Sequence, residues 1–158
     1  MLNPIPSEVD VAVIGAGSAG LPAFRAAREH TDRVILIERG PHGTTCARVG
    51  CMPSKLLIAA AEAAHGMEIA PGFGIHPGSI SIDGEAVMER VRRERDRFVG
   101  FVLDGVDRID PEQKISGQAR FVEDSKLEIG NSQVRVGRVV IASGTSPAIP
   151  EFLELIRD

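Results

Sequence analysis

The sequence contains no tryptophan and no tyrosine, and phenylalanine occurs only 6 times in 158 residues. The protein itself therefore contributes almost nothing to near-ultraviolet absorbance. Cysteine is scarce too. Cys46 and Cys51 are the only two, too few for the disulfide framework of a small secreted domain and close enough together to suggest paired chemistry. Long hydrophobic runs are missing: the longest strictly apolar stretch, Leu56 to Ala61, is far shorter than the roughly 20 residues that cross a bilayer. Residues 1–10 hold an acidic pair and no basic patch ahead of an apolar stretch, so no secretory signal is recognised and a cytoplasmic location is expected. A surplus of positive charge is also absent. The formal net charge of -4 offers nucleic acid or an acidic membrane surface no general attraction. Arg90, Arg92, Arg93, Arg95 and Arg97 are a local exception, but Glu89, Glu94 and Asp96 interleave with them and the stretch reads as a solvated helix face.

What remains is the composition of one ordinary globular domain, 43% hydrophobic and 25% charged, long enough to bury a core. No internal repeat or low-complexity segment is found. Val9 to Ile14 reads as a strand that runs into a glycine turn, Gly15 to Gly20. A helix follows from about Ser18 to Arg28, with Leu21, Ala23, Phe24 and Ala27 at helical spacing. Arg33 to Glu38 has the near-continuous apolarity of a second strand in a parallel sheet. Together these form one βαβ unit. Gly43 to His65 reads as helical but interrupted at Gly50 and Pro53, with a Gly/Pro-rich loop from Gly66 to Gly84 and a long helix from Glu85 to Val106. Val87, Val91, Phe98, Val102 and Val106 mark that helix's apolar side. Ile115 to Val122, Lys126 to Ile129 and Gln133 to Val136 read as an antiparallel meander, and Arg138 to Ala142 as a separate buried strand.

Gly15-x-Gly17-x-x-Gly20 between a strand and a helix offers backbone N–H groups and a helix dipole to a pyrophosphate. Glu38 closes the second strand, where a carboxylate accepts hydrogen bonds from both ribose hydroxyls and repels a 2′-phosphate. The motif leaves FAD and NAD unresolved, since both carry adenosine diphosphate. The second constellation is the segment from Gly43 to Lys55. Two cysteines five residues apart on a regular helix stand about 140° apart round the axis, with Cα atoms roughly 8 to 9 Å apart. A disulfide needs less than about 7 Å. Bridging them requires a bend, which Gly50 and Pro53 permit. Nearby Lys55 and a helix start favour a lowered thiolate pKa. Two alternatives stay open on the residues alone: unbonded small cysteines, and a metal site joining the pair to His42 or His65.

The run Gly43-Thr44-Thr45-Cys46-Ala47-Arg48-Val49-Gly50-Cys51-Met52-Pro53-Ser54-Lys55 resembles the redox-disulfide signature of the flavin-dependent pyridine nucleotide-disulfide oxidoreductases, in the branch of dihydrolipoamide dehydrogenase and mercuric reductase. Gly117-x-Ala119-x-Phe121 and Val139 to Thr145 with Pro147 strengthen the likeness, which spans nearly all of the chain. The resemblance implies an α/β fold: a Rossmann-like FAD-binding domain with a parallel sheet and a small antiparallel meander. It implies FAD on Gly15, Gly17, Ser18, Ala19, Gly20, Glu38, Arg39, Gly43, Thr44, Thr45, Ala119, Ala142, Ser143 and Gly144. Cys46 exchanges with a small dithiol or disulfide substrate, Cys51 faces the flavin and Lys55 lies near its reactive nitrogen; no metal is expected. Thr44 departs from the resembled pattern, where Gly is usual, Ser143 stands where Thr is usual, and Arg48 sets a cation between the sulfurs.

The function so implied is an FAD-dependent dithiol/disulfide oxidoreductase most like dihydrolipoamide dehydrogenase. The alternatives are a mercuric-reductase-like or other disulfide reductase, or a non-catalytic flavin-binding fragment. With one glycine fingerprint, residues 1–158 are expected to be the N-terminal segment of an FAD-binding domain. The NAD domain, returning FAD segment and dimer-interface domain of a homodimeric parent would then lie outside it, NAD(H) would bind only to that parent, and the chain alone would be inactive.

Overall fold

The computed structural model describes residues 5–146 and 148–156. The elements run β1 (Glu8–Ile14), α1 (Gly20–Arg28), β2 (Val34–Glu38), α2 (Thr45–Val49), α3 (Cys51–Ile69), a 3-10 turn (Ala70–Phe73), α4 (Gly84–Asp107), β3 (Lys114–Ser116), β4 (Ala119–Glu123), β5 (Lys126–Ile129), β6 (Ser132–Ile141) and a closing 3-10 helix (Glu151–Ile156). The strands form one sheet in the order β3-β2-β1-β6-β5-β4. β1 is parallel to β2 and β6, and β2 to β3, while β5 is antiparallel to both of its neighbours. The α/β architecture with a parallel core and an antiparallel flank is therefore as expected, although the flank is part of the main sheet.

Residues Val34 to Ile37 are all buried, as a strand covered on both faces requires. One core cluster gathers Val9, Ile35, Ile37 and Ile115 with Leu127, Ile129, Val134 and Val136 of the flank. The other lies where α1 docks through Phe24 onto Val13, Val34 and Leu36. Each fully buried Leu, Ile or Phe stabilises by about 1.5–3 kcal/mol, so the β1–α1–β2 unit carries much of the stability.

Several boundaries differ from the sequence reading. α1 begins at Gly20, with Ser18 and Ala19 in the turn before it, and β2 begins at Val34. α3 continues through Gly66 to Ile69 and shortens the expected loop; one glycine costs only about 1 kcal/mol in a helix, which its neighbours offset. The expected strand Ile115 to Val122 is two strands, separated at Gly117, whose φ is 156°. Conversely, Gln133 to Val136 and Arg138 to Ala142 belong to the single strand β6. Its partner β1 keeps it continuous from Arg135 opposite Glu8 to Ile141 opposite Ile14. Gly137 marks no break there. It faces Asp10, whose carbonyl oxygen would lie 2.9 Å from any Cβ. The last part of β6 is half-buried rather than buried, and Ile141 is 67% exposed.

The helical layer is less well covered than the sheet. α4 is capped by Asp83, whose carboxylate accepts from the Ala86 N–H at 3.0 Å, and it buries only Val91 and Val106. Its arginines form the anticipated solvated face, with Arg93 and Arg97 paired to Glu94 and Arg95 to Asp96. α3 lies against α4 and buries no residue at all.

Candidate functional site

The glycine turn sits at the C-terminal end of β1, between the ends of β2 and β6. Gly15, at φ 106°, adopts a backbone conformation that glycine takes without a Cβ penalty. Its N–H donates to the Ile37 carbonyl at 2.8 Å, and the Ala142 N–H donates to the Ile14 carbonyl at 2.8 Å. A Cβ on Gly15 would lie 2.2 Å from the Ala142 oxygen, and one on Gly20 only 1.7 Å from the Gly15 oxygen. Gly17 is different: nothing lies within 4 Å of where its Cβ would be. Two glycines thus close-pack the turn, and the third leaves open space above it.

Glu38 ties the end of β2 to this turn. Its carboxylate accepts from the Ala16 N–H at 2.7 Å and from the Gly40 N–H at 2.8 Å. Burial pushes its pKa up, but those amides, the Arg39 N–H and the nearby His42 outweigh burial and hold the carboxyl below its usual value. A cavity of about 240 Å3 opens here, walled by Gly15, Glu38, Arg39, Ala119 and Ser143 among others. Residues expected from four separate stretches therefore meet in one crevice at the carboxyl ends of parallel strands. Ala142 and Gly144 flank Ser143 without lining the cavity. Pro147, part of the same expected motif, lies outside the described residues.

The cysteine segment begins at Thr44, the only non-glycine residue with a left-handed φ among the described residues, at 60°. Its hydroxyl accepts from the Ala47 N–H at 3.1 Å and caps α2. Gly43 before it packs against Val99 and the Arg48 side chain rather than against either cavity. Thr45 is exposed. The helix breaks between the two cysteines as the spacing argument requires, and the break is at Gly50 alone. Pro53 sits in the first turn of α3, where its missing N–H is not needed.

Cys46 and Cys51 are both thiols, Cys46 half-buried and Cys51 exposed. Across the break the Cys46 and Cys51 side chains are neighbours, and hydrogen bonding between the two thiols pushes the Cys46 pKa up. Burial and the charge a Cys51 thiolate would carry act in the same direction. The Cys51 N–H and the Lys55 ammonium pull the other way and are outweighed. The expected lowering is therefore not found at Cys46, because the neighbouring second thiol outweighs the Lys55 cation. Arg48 is not the cation acting here: its stem lies over Gly43, and Lys55 is the positive charge felt at Cys46.

A larger cavity of about 480 Å3 opens beside Cys46, and Cys51 does not line it. Ser18, Leu21, Pro22 and Arg25 of the glycine turn and α1 form one side, and Thr44, Cys46 and Met52 another. Phe98, Phe101, Val102, Gly105 and Ile109 close it from α4 and beyond. Phe98 and Phe101 meet edge to face at 6.3 Å between centroids, with the Arg97 guanidinium 5.7 Å from the Phe101 centroid. The contribution of α4 was missed in the sequence, where Phe98 read as core. Phe98 is instead 37% exposed, on the wall of this cavity. Among the described residues no three His, Cys, Asp or Glu side chains are grouped to hold a metal ion, and His65 faces Glu68 at 3.6 Å instead.

The family model for pyridine nucleotide-disulphide oxidoreductases matches residues 9–155. A mercuric reductase from Serratia marcescens is 37% identical over 152 residues, covering 90% of this chain and 32% of that protein. One from Streptomyces lividans is 35% identical over 153 residues, and one from Lysinibacillus sphaericus 31% over 148, each covering 90% of this chain and respectively 31% and 26% of the relative. The chain thus spans about a quarter to a third of the length of these relatives.

Proposed function

Because the chain belongs to the pyridine nucleotide-disulphide oxidoreductase family, an FAD-binding one, we propose that it supplies the FAD-binding and dithiol part of an oxidoreductase acting on a thiophilic acceptor. The observation that carries the reading is that Cys46 has Cys51 as its neighbour across the Gly50 break while itself lining a cavity that Ser18 of the glycine turn also lines. The residues fit FAD: the space over Gly17 admits a pyrophosphate, and Glu38 keeps free lone pairs for a ribose beside Ala119. When bound, FAD supplies two-electron chemistry between a nicotinamide donor and the dithiol. NAD(H) binding and a homodimer belong to the full-length parent in this proposal.

Within it, Cys46 exchanges with the acceptor, since it lines the cavity, and Cys51 and Lys55 face the flavin side. The mercuric reductase relatives favour Hg(II), or a disulfide, as electron acceptor over the dithiol dihydrolipoamide as electron donor. Two neighbouring sulfurs suit a soft ion, which they bind as thiolates after losing their protons. In a reducing compartment such as the cytoplasm the same pair opens and closes as a disulfide.

The test uses the 158-residue chain. Incubation with FAD followed by gel filtration should leave flavin absorbance with the protein. Mild oxidation should remove both titratable thiols and reduction restore them, and one equivalent of Hg(II) should mask both at once. A pair that stays as two thiols on oxidation and binds Hg(II) independently at each sulfur refutes the proposal.

A further inference from the structure

Thr44 has a conformation that glycine takes at no cost, φ 60° and ψ 146°, and yet it carries a β-branched side chain. The backbone alone gains nothing from that side chain. The hydroxyl is fixed, because it accepts from the Ala47 N–H at 3.1 Å, and fixing Oγ1 of a threonine also fixes its methyl. Thr44 and Cys46 stand two residues apart in the wall of the same cavity, with Met52 beside them and Phe98 and Phe101 opposite. Thr44, with its side-chain rotamer fixed, and the half-buried Cys46 therefore share the lining of one cavity.

We propose that Thr44 is a specificity-determining residue, which restricts exchange at Cys46 to partners with slender, unbranched carbon next to sulfur. The inference rests on the reading of Cys46 as the sulfur that meets the acceptor. In the step it governs, the Cys46 thiolate attacks one sulfur of an aliphatic disulfide. The Cys46–S bond forms as the S–S bond breaks, and the departing thiolate takes a proton from water. Cys51 then attacks Cys46, forming the Cys46–Cys51 bond and releasing the second thiol. The electron pair gained by the substrate is the one the two cysteines lose. Approach along the S–S axis sets the far substituent against the cavity wall, which is where Thr44 acts.

The experiment compares two mixed disulfides with the same pyridine-2-thiol leaving group, one bearing an n-propyl arm and one a cyclohexyl arm. Rates of capture at Cys46 are read by mass spectrometry and thione release in the Cys51→Ser chain, which traps the mixed disulfide. Thr44→Ser keeps the hydroxyl cap and removes the methyl, and Thr44→Gly removes both. Each should raise the cyclohexyl-to-propyl rate ratio about tenfold, the discrimination expected of one methyl group in a close-fitting wall. An unchanged ratio in both variants, whatever the absolute rates do, overturns the role of Thr44. Failure of the propyl reagent to react at Cys46 in the Cys51→Ser chain overturns instead the reading on which that role rests.

Discussion

Gly20→Ala sets a local preference against a contact, and the contact should win. Alanine is favoured over glycine in a helix by about 1 kcal/mol, so propensity alone has the variant more stable. A Cβ at Gly20, however, would lie 1.7 Å from the Gly15 oxygen and 2.8 Å from its carbon. Relief to the shortest tolerable contact of 3.0 Å moves that carbonyl by more than 1 Å. Gly15 has nowhere to go: its N–H is bonded to Ile37, and its other side rests on the Ala142 carbonyl. Since backbone rather than a flexible side chain must yield, the cost lies at or above the upper end of overpacking, about 3 kcal/mol. For a chain of this size that is a fall in Tm of about 6–12 °C. Thermal unfolding followed by far-ultraviolet circular dichroism is the assay, because the chain has no tryptophan or tyrosine to report. Gly17→Ala is the control. Its added methyl meets nothing, so it should melt within about 2 °C of the parent while losing FAD retention, as blocked phosphate approach requires. A Gly20→Ala chain that melts at or above the parent temperature would show the packing argument to be wrong.

Two further outcomes follow from the titrating groups. Glu38 is held below its usual pKa, so its contribution to stability is complete above the unfolded value of about 4.5 and is lost as pH falls through the lower folded value. Urea midpoints of the parent and of Glu38→Gln should therefore differ most at neutral pH and converge in acid, and a gap that does not change with pH counts against the hydrogen-bonded carboxylate. Because Cys51 raises the Cys46 pKa, Cys51→Ala should accelerate iodoacetamide alkylation of Cys46 at pH 8 and move its pH–rate curve to lower pH. Superimposable curves would remove the sulfur–sulfur hydrogen bond from the account.

The β1–α1–β2 unit was legible because its signals are local: a strand of unbroken apolarity, a glycine triplet and a carboxylate at the next strand's end. Glu38, Ala119 and Ser143 could be placed in one crevice because a recognised motif ties those distant stretches together. β6 was not legible as one strand, since Gly137 reads as an interruption and only pairing with β1, more than 120 residues away in sequence, makes it continuous. The interruption between the cysteines followed from their spacing. The direction of the Cys46 shift did not, because it depends on how the Gly50 break turns one sulfur toward the other. Phe98 and Phe101 were invisible for the same reason as β6: what faces α4 across the cavity is set by how α1 and α2 pack, not by the period of α4 itself.

The register of the parallel strands has a consequence for the shape of any ligand. Ile14 is level with Ile37 on one side and with Ile141 on the other, so three adjacent strands terminate at a common height. Their ends make a ledge that crosses the sheet instead of a shaft that descends into it. An elongated molecule laid along it would run transverse to the strands, from Glu38 across the glycine turn, and its length rather than its girth is what the ledge would measure.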